Sequence, residues 1–207
     1  MTRKPTVVFN FGINDADYVT QVFTVVNGKR VSKVCPFFRA WKGMIQRCYS
    51  SNSLKKRPTY EGCYVSLKWK SFMAFRAWMI TQDWEGKSLD KDILFYDNKE
   101  YSPEKCVFVS KELNSFFTDS ASMRGNYPIG VSFHAKTGKF QSNCKNPLTN
   151  RKVYLGLHET PESAHLAWRD AKHFYANELA QREDDPRIKE ALINRYRPDN
   201  GICFLNS

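Results

Sequence analysis

Two carboxylates flanking a lysine, Asp90-Lys91-Asp92, stand at the centre of the run Leu89 to Leu94. Downstream follow Tyr101-Ser102-Pro103-Glu104-Lys105-Cys106-Val107-Phe108-Val109 and then Asn114. The stretch reads as strand, loop, strand and helix with polar residues at its corners. Lysine has a reference pKa of about 10.4, so it serves as a base near neutrality only if desolvation or a neighbouring cation lowers it. Protonated, it can bind phosphate or steady developing negative charge. Alternating acids are also common on exposed strand faces, so the pair alone does not define a site.

A second set of residues suits recognition rather than reaction. Along Lys139 to Lys145, strand alternation puts Phe140, Ser142 and Cys144 on one side and Lys139, Gln141, Asn143 and Lys145 on the other. Along Arg151 to Leu157 it points Val153, Leu155 and Leu157 inward and leaves Lys152 and Tyr154 outside. Lysine attracts phosphate, while Gln and Asn can pair with adenine in a groove.

Composition agrees with a polyanionic partner. Lys and Arg outnumber Asp and Glu by 32 to 21 in 207 residues, a net charge of +11, which makes nucleic acid the leading expectation. No apolar run approaches a membrane-spanning length, and no basic amphipathic helix carries a fully apolar opposite face. Met1 to Pro5 has no signal-peptide character, so the expected location is the cytoplasm, that of the host cell if a phage encodes the protein. The six cysteines, Cys35, Cys48, Cys63, Cys106, Cys144 and Cys203, include no C-x-x-C pair and read as free, mostly buried thiols. The four histidines, His134, His158, His165 and His173, lack the short spacing of a zinc site.

These residues need elements to position them. Asn27-Gly28 between two β-rich runs predicts a hairpin over 21–34. Phe37, Phe38, Trp41, Met44, Ile45 and Cys48 recur at helical spacing behind Pro36, and Trp69, Phe72, Phe75, Trp78 and Met79 do so over about 69–82. Both stripes read as core. Strands are expected at Ser88 to Leu94 and Cys106 to Val109, with Ser110 capping a helix from Lys111 to about Phe117. Thr160-Pro161-Glu162 opens a long helix with Ala164, Ala167, Trp168, Ala171 and Tyr175 on one stripe, and a short helix is expected around Ile188 to Tyr196.

The runs Trp41-x-x-Met44-x-x-Arg47-Cys48-Tyr49, Trp69 to Phe72, Leu89 to Leu94 and Tyr101 to Val109 resemble phage and bacterial HNH homing-endonuclease-like proteins over residues 36–118. The resemblance implies a ββα-metal core in which Asp90 and Asn114 ligate Mg2+ or a similar divalent cation, with Asp92 and Asn98 as helpers. It places Lys91 where that family has its general-base histidine. In one reading Lys91 contacts a phosphate while Asp92 or water supplies the base. In the other the fold is retained as a scaffold and nothing is cut.

Gly130 to Phe133, Gly138-Lys139-Phe140, Tyr154-Leu155-Gly156 and Thr160-Pro161-Glu162 with Ala164 and Ala167 resemble the APETALA-type, ethylene-response-factor-like DNA-binding domain that accompanies such nucleases. That resemblance implies a three-stranded sheet reading the major groove through Lys136, Lys139, Gln141, Asn143, Lys145, Arg151, Lys152 and Tyr154, with Arg124 as a phosphate clamp.

The expected fold is therefore α+β. An N-terminal hairpin and helices lead into an HNH-like ββα domain over 1–118; a linker over 119–126, a three-stranded antiparallel sheet packed on one helix over 127–182, and a helical appendage over 183–207 follow. The expected partner is double-stranded DNA, with no membrane and with room for a host protein. The expected activity is metal-dependent nicking or cleavage of DNA, or, alternatively, inactive DNA binding or inhibition of host machinery on the same scaffold.

Overall fold

Asn27 and Gly28 both take positive φ, 51° and 71°, and the hairpin they close pairs Gln21 with Val34 at its open end. The computed structural model describes residues 3–118 and 126–197. It is a mixed α+β chain that divides into two compact units, Met1–Lys111 and Glu112–Ser207. No helix among the described residues is long and apolar enough to cross a membrane.

The first unit opens with a tight antiparallel pair, β1 (Thr6–Val8) and β2 (Gly12–Asn14), followed by the hairpin of β3 (Gln21–Val26) and β4 (Lys29–Val34). The helices α1 (Pro36–Tyr49) and α2 (Ser51–Lys56) come next, then β5 (Tyr64–Val65) and α3 (Phe72–Ile80). The antiparallel pair of β6 (Ser88–Asp90) with β8 (Val107–Val109), and β7 (Glu100–Tyr101) running parallel to β5, complete it. Its core is the two aromatic stripes. Phe38, Trp41, Met44 and Ile45 of α1 pack with Phe72, Phe75 and Met79 of α3 and with Trp69, and the Trp41 indole donates to the Trp69 carbonyl at 2.8 Å.

Two expectations shift at their ends. The helix expected over about 69–82 is a short 3-10 turn, Leu67–Trp69, followed by α3, because Ser71 leaves helical geometry to cap α3 through the Ala74 N–H. The strand expected to reach Leu94 stops at Asp90, whose own side chain turns the chain.

The second unit holds α4 (Lys111–Phe117), the sheet of β9 (Val131–His134), β10 (Lys139–Lys145) and β11 (Lys152–His158), the helix α5 (Pro161–Ala180) and α6 (Pro186–Arg195). Sheet order is β11-β10-β9, antiparallel throughout. Thr160 and Ser163 form a reciprocal capping box at the start of α5, with Pro161 in its first turn. The expected division at residue 118 is corrected: α4 groups with the C-terminal unit, where Phe116 and Phe117 meet the Tyr196 ring. Within the expected appendage Ile188, Leu192 and Tyr196 are buried, and residues 198–207 lie outside the described residues. Lys172 of α5 ties the group together by donating to the Phe116 carbonyl at 2.5 Å while lying 3.7 Å over the Phe116 ring.

Sheet and α5 meet at Trp168, which is buried and stacked on His165. Its indole fills the space where Gly130 has no side chain; a Cβ there would lie 2.2 Å from the Trp168 ring, and Gly130 has φ +84°. Gly138 also has positive φ, +67°, but faces open space. Gly130→Ala is therefore expected to cost about 2–4 kcal/mol, steric overlap being added to backbone strain, and Gly138→Ala about 1 kcal/mol. Urea unfolding of the two variants checks this; equal losses would mean that Trp168 does not depend on the absent side chain.

Candidate nucleic-acid interface and the Lys91 cluster

Asp90 ends β6 as an acceptor. Its Oδ1 takes the backbone N–H of Asp92 at 2.7 Å and of Ile93 at 2.9 Å, the local turn that short acidic side chains favour. This reverses the chain and sends Lys91 inward, where it is 5% exposed. The Lys91 ammonium donates to Asp92 Oδ1 at 2.5 Å and to the Asn98 carbonyl oxygen. The Asn98 amide closes the loop from the other side, donating to the Lys91 carbonyl at 2.8 Å and the Glu100 carbonyl at 2.7 Å and accepting the Glu100 N–H at 3.0 Å.

Burial by itself would pull the Lys91 pKa down. The hydrogen bond and charge of Asp92, with smaller contributions from Cys63 and Asp90, outweigh it and hold the pKa above the usual lysine range. Lys91 is thus a buried cation held charged by its own neighbours, the opposite of a lysine tuned to accept a proton, and its ammonium is turned away from any phosphate in solvent.

A divalent cation fits these residues poorly. One Asp90 oxygen serves two backbone donors, and Asp92 already has the Lys91 ammonium at 2.5 Å, so a metal would face a resident positive charge. Asp90 ends β6 and Asn114 lies on α4. Among the described residues no group of three or more His, Cys, Asp and Glu side chains could hold a metal. Burial pushes the Cys48 thiol up to about 12 and the Cys106 thiol higher still.

The three-stranded sheet has a face away from α5 that differs from simple alternation in one respect. Its ladder pairs Lys145 with Lys152, Cys144 with Val153 and Asn143 with Tyr154, then skips Leu155 and resumes with Ser142 opposite Gly156 and Gln141 opposite Leu157. Leu155 is the extra residue of a β-bulge, next to Gly156 at φ +113°. The bulge reverses the phase of β11, so Leu157, expected inward, shares the outer face with Gln141 and is 36% exposed.

The outer face consequently runs from Lys145 and Lys152, through Asn143 and Tyr154, to Gln141 with Leu157 and Ser132, and ends at Lys139 opposite His134. Tyr154 is 57% exposed, and the Gln141 amide donates to Asn143 Oδ1 at 3.4 Å, a loose contact that leaves the pair able to reorient. Lys139 is bound to Glu159, which reduces what it offers a phosphate. Lys136, in the turn before β10, and Arg151, just before β11, are exposed beside the face. Arg124 lies outside the described residues. Sequence reasoning missed Ser132 and Leu157 on this face; Gly156 within a strand pattern is the one signal that could have announced the bulge.

No protein family, curated protein or solved structure matches this chain.

Lys91→Met is expected to lower stability by about 1–3 kcal/mol, because Asp92 and the Asn98 carbonyl lose their donor. A lysine whose folded pKa is raised contributes stability that is complete below its unfolded pKa and is lost only as pH rises through the folded value. The gap between variant and wild type should then stay constant from about pH 6 to pH 9. Denaturant melts at several pH values test this, and a gap that closes within that window would show Lys91 to be neutral.

Proposed function

We propose that this protein binds double-stranded DNA through the outer face of the β9–β11 sheet, and that its HNH-like stretch serves as a scaffold instead of a cutting centre. The observation that carries the reading is the opposition of Lys145 and Lys152. They are direct cross-strand partners, both exposed, and neither is joined to a carboxylate among the described residues. Like charges facing each other across a ladder cost stability. A polyanion laid on the face removes that cost and gains the released counterions.

What lies between the cations suits a groove. Asn143 and Gln141 point the same way as the two lysines and offer both donors and acceptors to base edges. Tyr154 and Leu157 add apolar surface for contact with a thymine methyl or a sugar. A strand ribbon of this width fits the major groove, the mode of the APETALA-type domains that the segment resembles.

The nuclease reading requires Lys91 to reach a phosphate or accept a proton, and its buried, paired ammonium counts against both. Intact plasmid incubated with the protein and Mg2+ or Mn2+ should remain supercoiled; nicking lost in Asp90→Ala and Asn114→Ala would restore the enzymatic reading.

For the binding itself, the Lys145→Ala/Lys152→Ala double variant should reduce the slope of log K against log salt by about two, with sequence preference retained. Gln141→Ala/Asn143→Ala should leave the slope alone and cost about 1–3 kcal/mol at a preferred sequence. Fluorescence anisotropy with duplexes over a range of salt reads both, and a slope unchanged by loss of the two lysines would remove the sheet face from the interface.

A further inference from the structure

Arg47 of α1 is largely buried, yet no carboxylate pairs with it among the described residues. Its Nε donates to the Tyr101 hydroxyl at 3.0 Å, and its guanidinium lies 5.4 Å from the Tyr101 ring and 5.7 Å from the Tyr60 ring. Guanidinium stays charged in any protein environment and carries five donors. One hydroxyl and two ring faces leave most of those donors for something else.

Space for that something lies on both sides of Arg47. A cavity of about 330 Å³ includes Gln46, Asn52, Lys56 and Arg57 in its wall. A second, of about 290 Å³, is lined by the cationic Arg39 and Lys87 and the apolar Trp84 and Phe108. Arg47 and Gly43 line both, and no acidic residue lines either. Lys87 is paired to Asp83 at 2.5 Å, but Arg39, Arg47, Lys56 and Arg57 have no carboxylate partner among the described residues, and unpaired cations lining a recess are what an anion site requires.

Gly43 supplies an independent sign. It sits inside α1, where glycine is disfavoured relative to alanine. Packing does not demand it: a Cβ there would meet only Arg47 Nη1, at 3.9 Å. Its missing side chain leaves room beside Arg47 in the wall that both cavities share.

We propose that this groove is a phosphate site for the sugar-phosphate backbone of nucleic acid, with Arg47 as the fixed donor and Lys56 and Arg57 as its exposed partners. The inference rests on the reading that the chain binds DNA and gives the first unit a contact of its own. Inorganic phosphate shares the chemistry, so the test must separate a free anion from a backbone.

Lys56 and Arg57 are exposed and can be changed without disturbing the core, and Gly43→Leu fills the groove with a good helix former. Intact protein with Lys56→Ala/Arg57→Ala should bind a 16-base-pair duplex several-fold more weakly, with a salt slope reduced by about one to two. Gly43→Leu should also bind more weakly while keeping its helical circular dichroism. Both effects should persist in the Lys145→Ala/Lys152→Ala background. Duplex affinity equal to wild type in both groove variants overturns the inference, whatever the sheet variants do. Phosphate-induced shifts at Arg47 by nuclear magnetic resonance, without any loss of duplex affinity in the variants, would make this a free-anion site and overturn it as well. Weakening by the groove variants alone, with the sheet variants silent, supports the groove and removes the sheet.

Discussion

The C-terminal unit depends on how closely α5 can approach its sheet. Trp168 sets that distance by lying where Gly130 has no side chain, and Ala164, in the first turn of the same helix, is fully buried. With the inner face sealed in this way, Ser142 and Cys144 are inaccessible and the alternating residues of β10 have only the outer face left to occupy. The position of every outward-facing side chain on that strand thus follows from one indole seated on one glycine. The same ring meets Tyr196 edge to face at 5.9 Å, and Tyr196 in turn meets Phe116 and Phe117 of α4.

The first unit is governed by burial of a different kind. Lys91 is a cation inside the fold, and such a group is tolerated only where hydrogen bonds and an opposite charge replace its water. Asp92, the Asn98 carbonyl and the Asp90 turn supply them. A segment that looks catalytic by residue type is thereby occupied with maintaining a loop. Residue types common to metal sites and to such loops, two acids and an amide, are told apart only by what their oxygens already hold.

How much could be read from the letters varies with how local the controlling physics is. Asn27-Gly28 needs two adjacent positive φ values and nothing distant, so its hairpin was plain; Ser110 before Lys111 and Thr160-Pro161 before Glu162 placed two helix starts by capping alone. The aromatic stripes of α1 and α3 were equally legible because helical spacing repeats over several turns. Leu155 is another matter. Whether a strand carries an extra residue depends on the register of its partner, and Leu157 changed sides for that reason. The inward turn of Lys91 was hidden for a related cause: it depends on Asn98, seven residues away across a loop. The unit boundary was misjudged because the rings of Phe116, Phe117 and Tyr196 find each other over 80 residues of chain.

The hairpin of β3 and β4 remains the least covered part of the molecule. Val22, Phe23, Val25, Val26 and Val31 are all substantially exposed on it, and Arg30 lies 4.2 Å over the Phe23 ring. The sheet has two strands and therefore two open edges. A ribbon with so little burial has small free energy of closure, so its amides should exchange with solvent deuterium well before those of α1. Its free edges also offer a template on which a second extended chain can add. At the concentrations needed for crystallisation, self-association of this protein should begin there, and a lysine placed at Val25 should raise its solubility without touching either core.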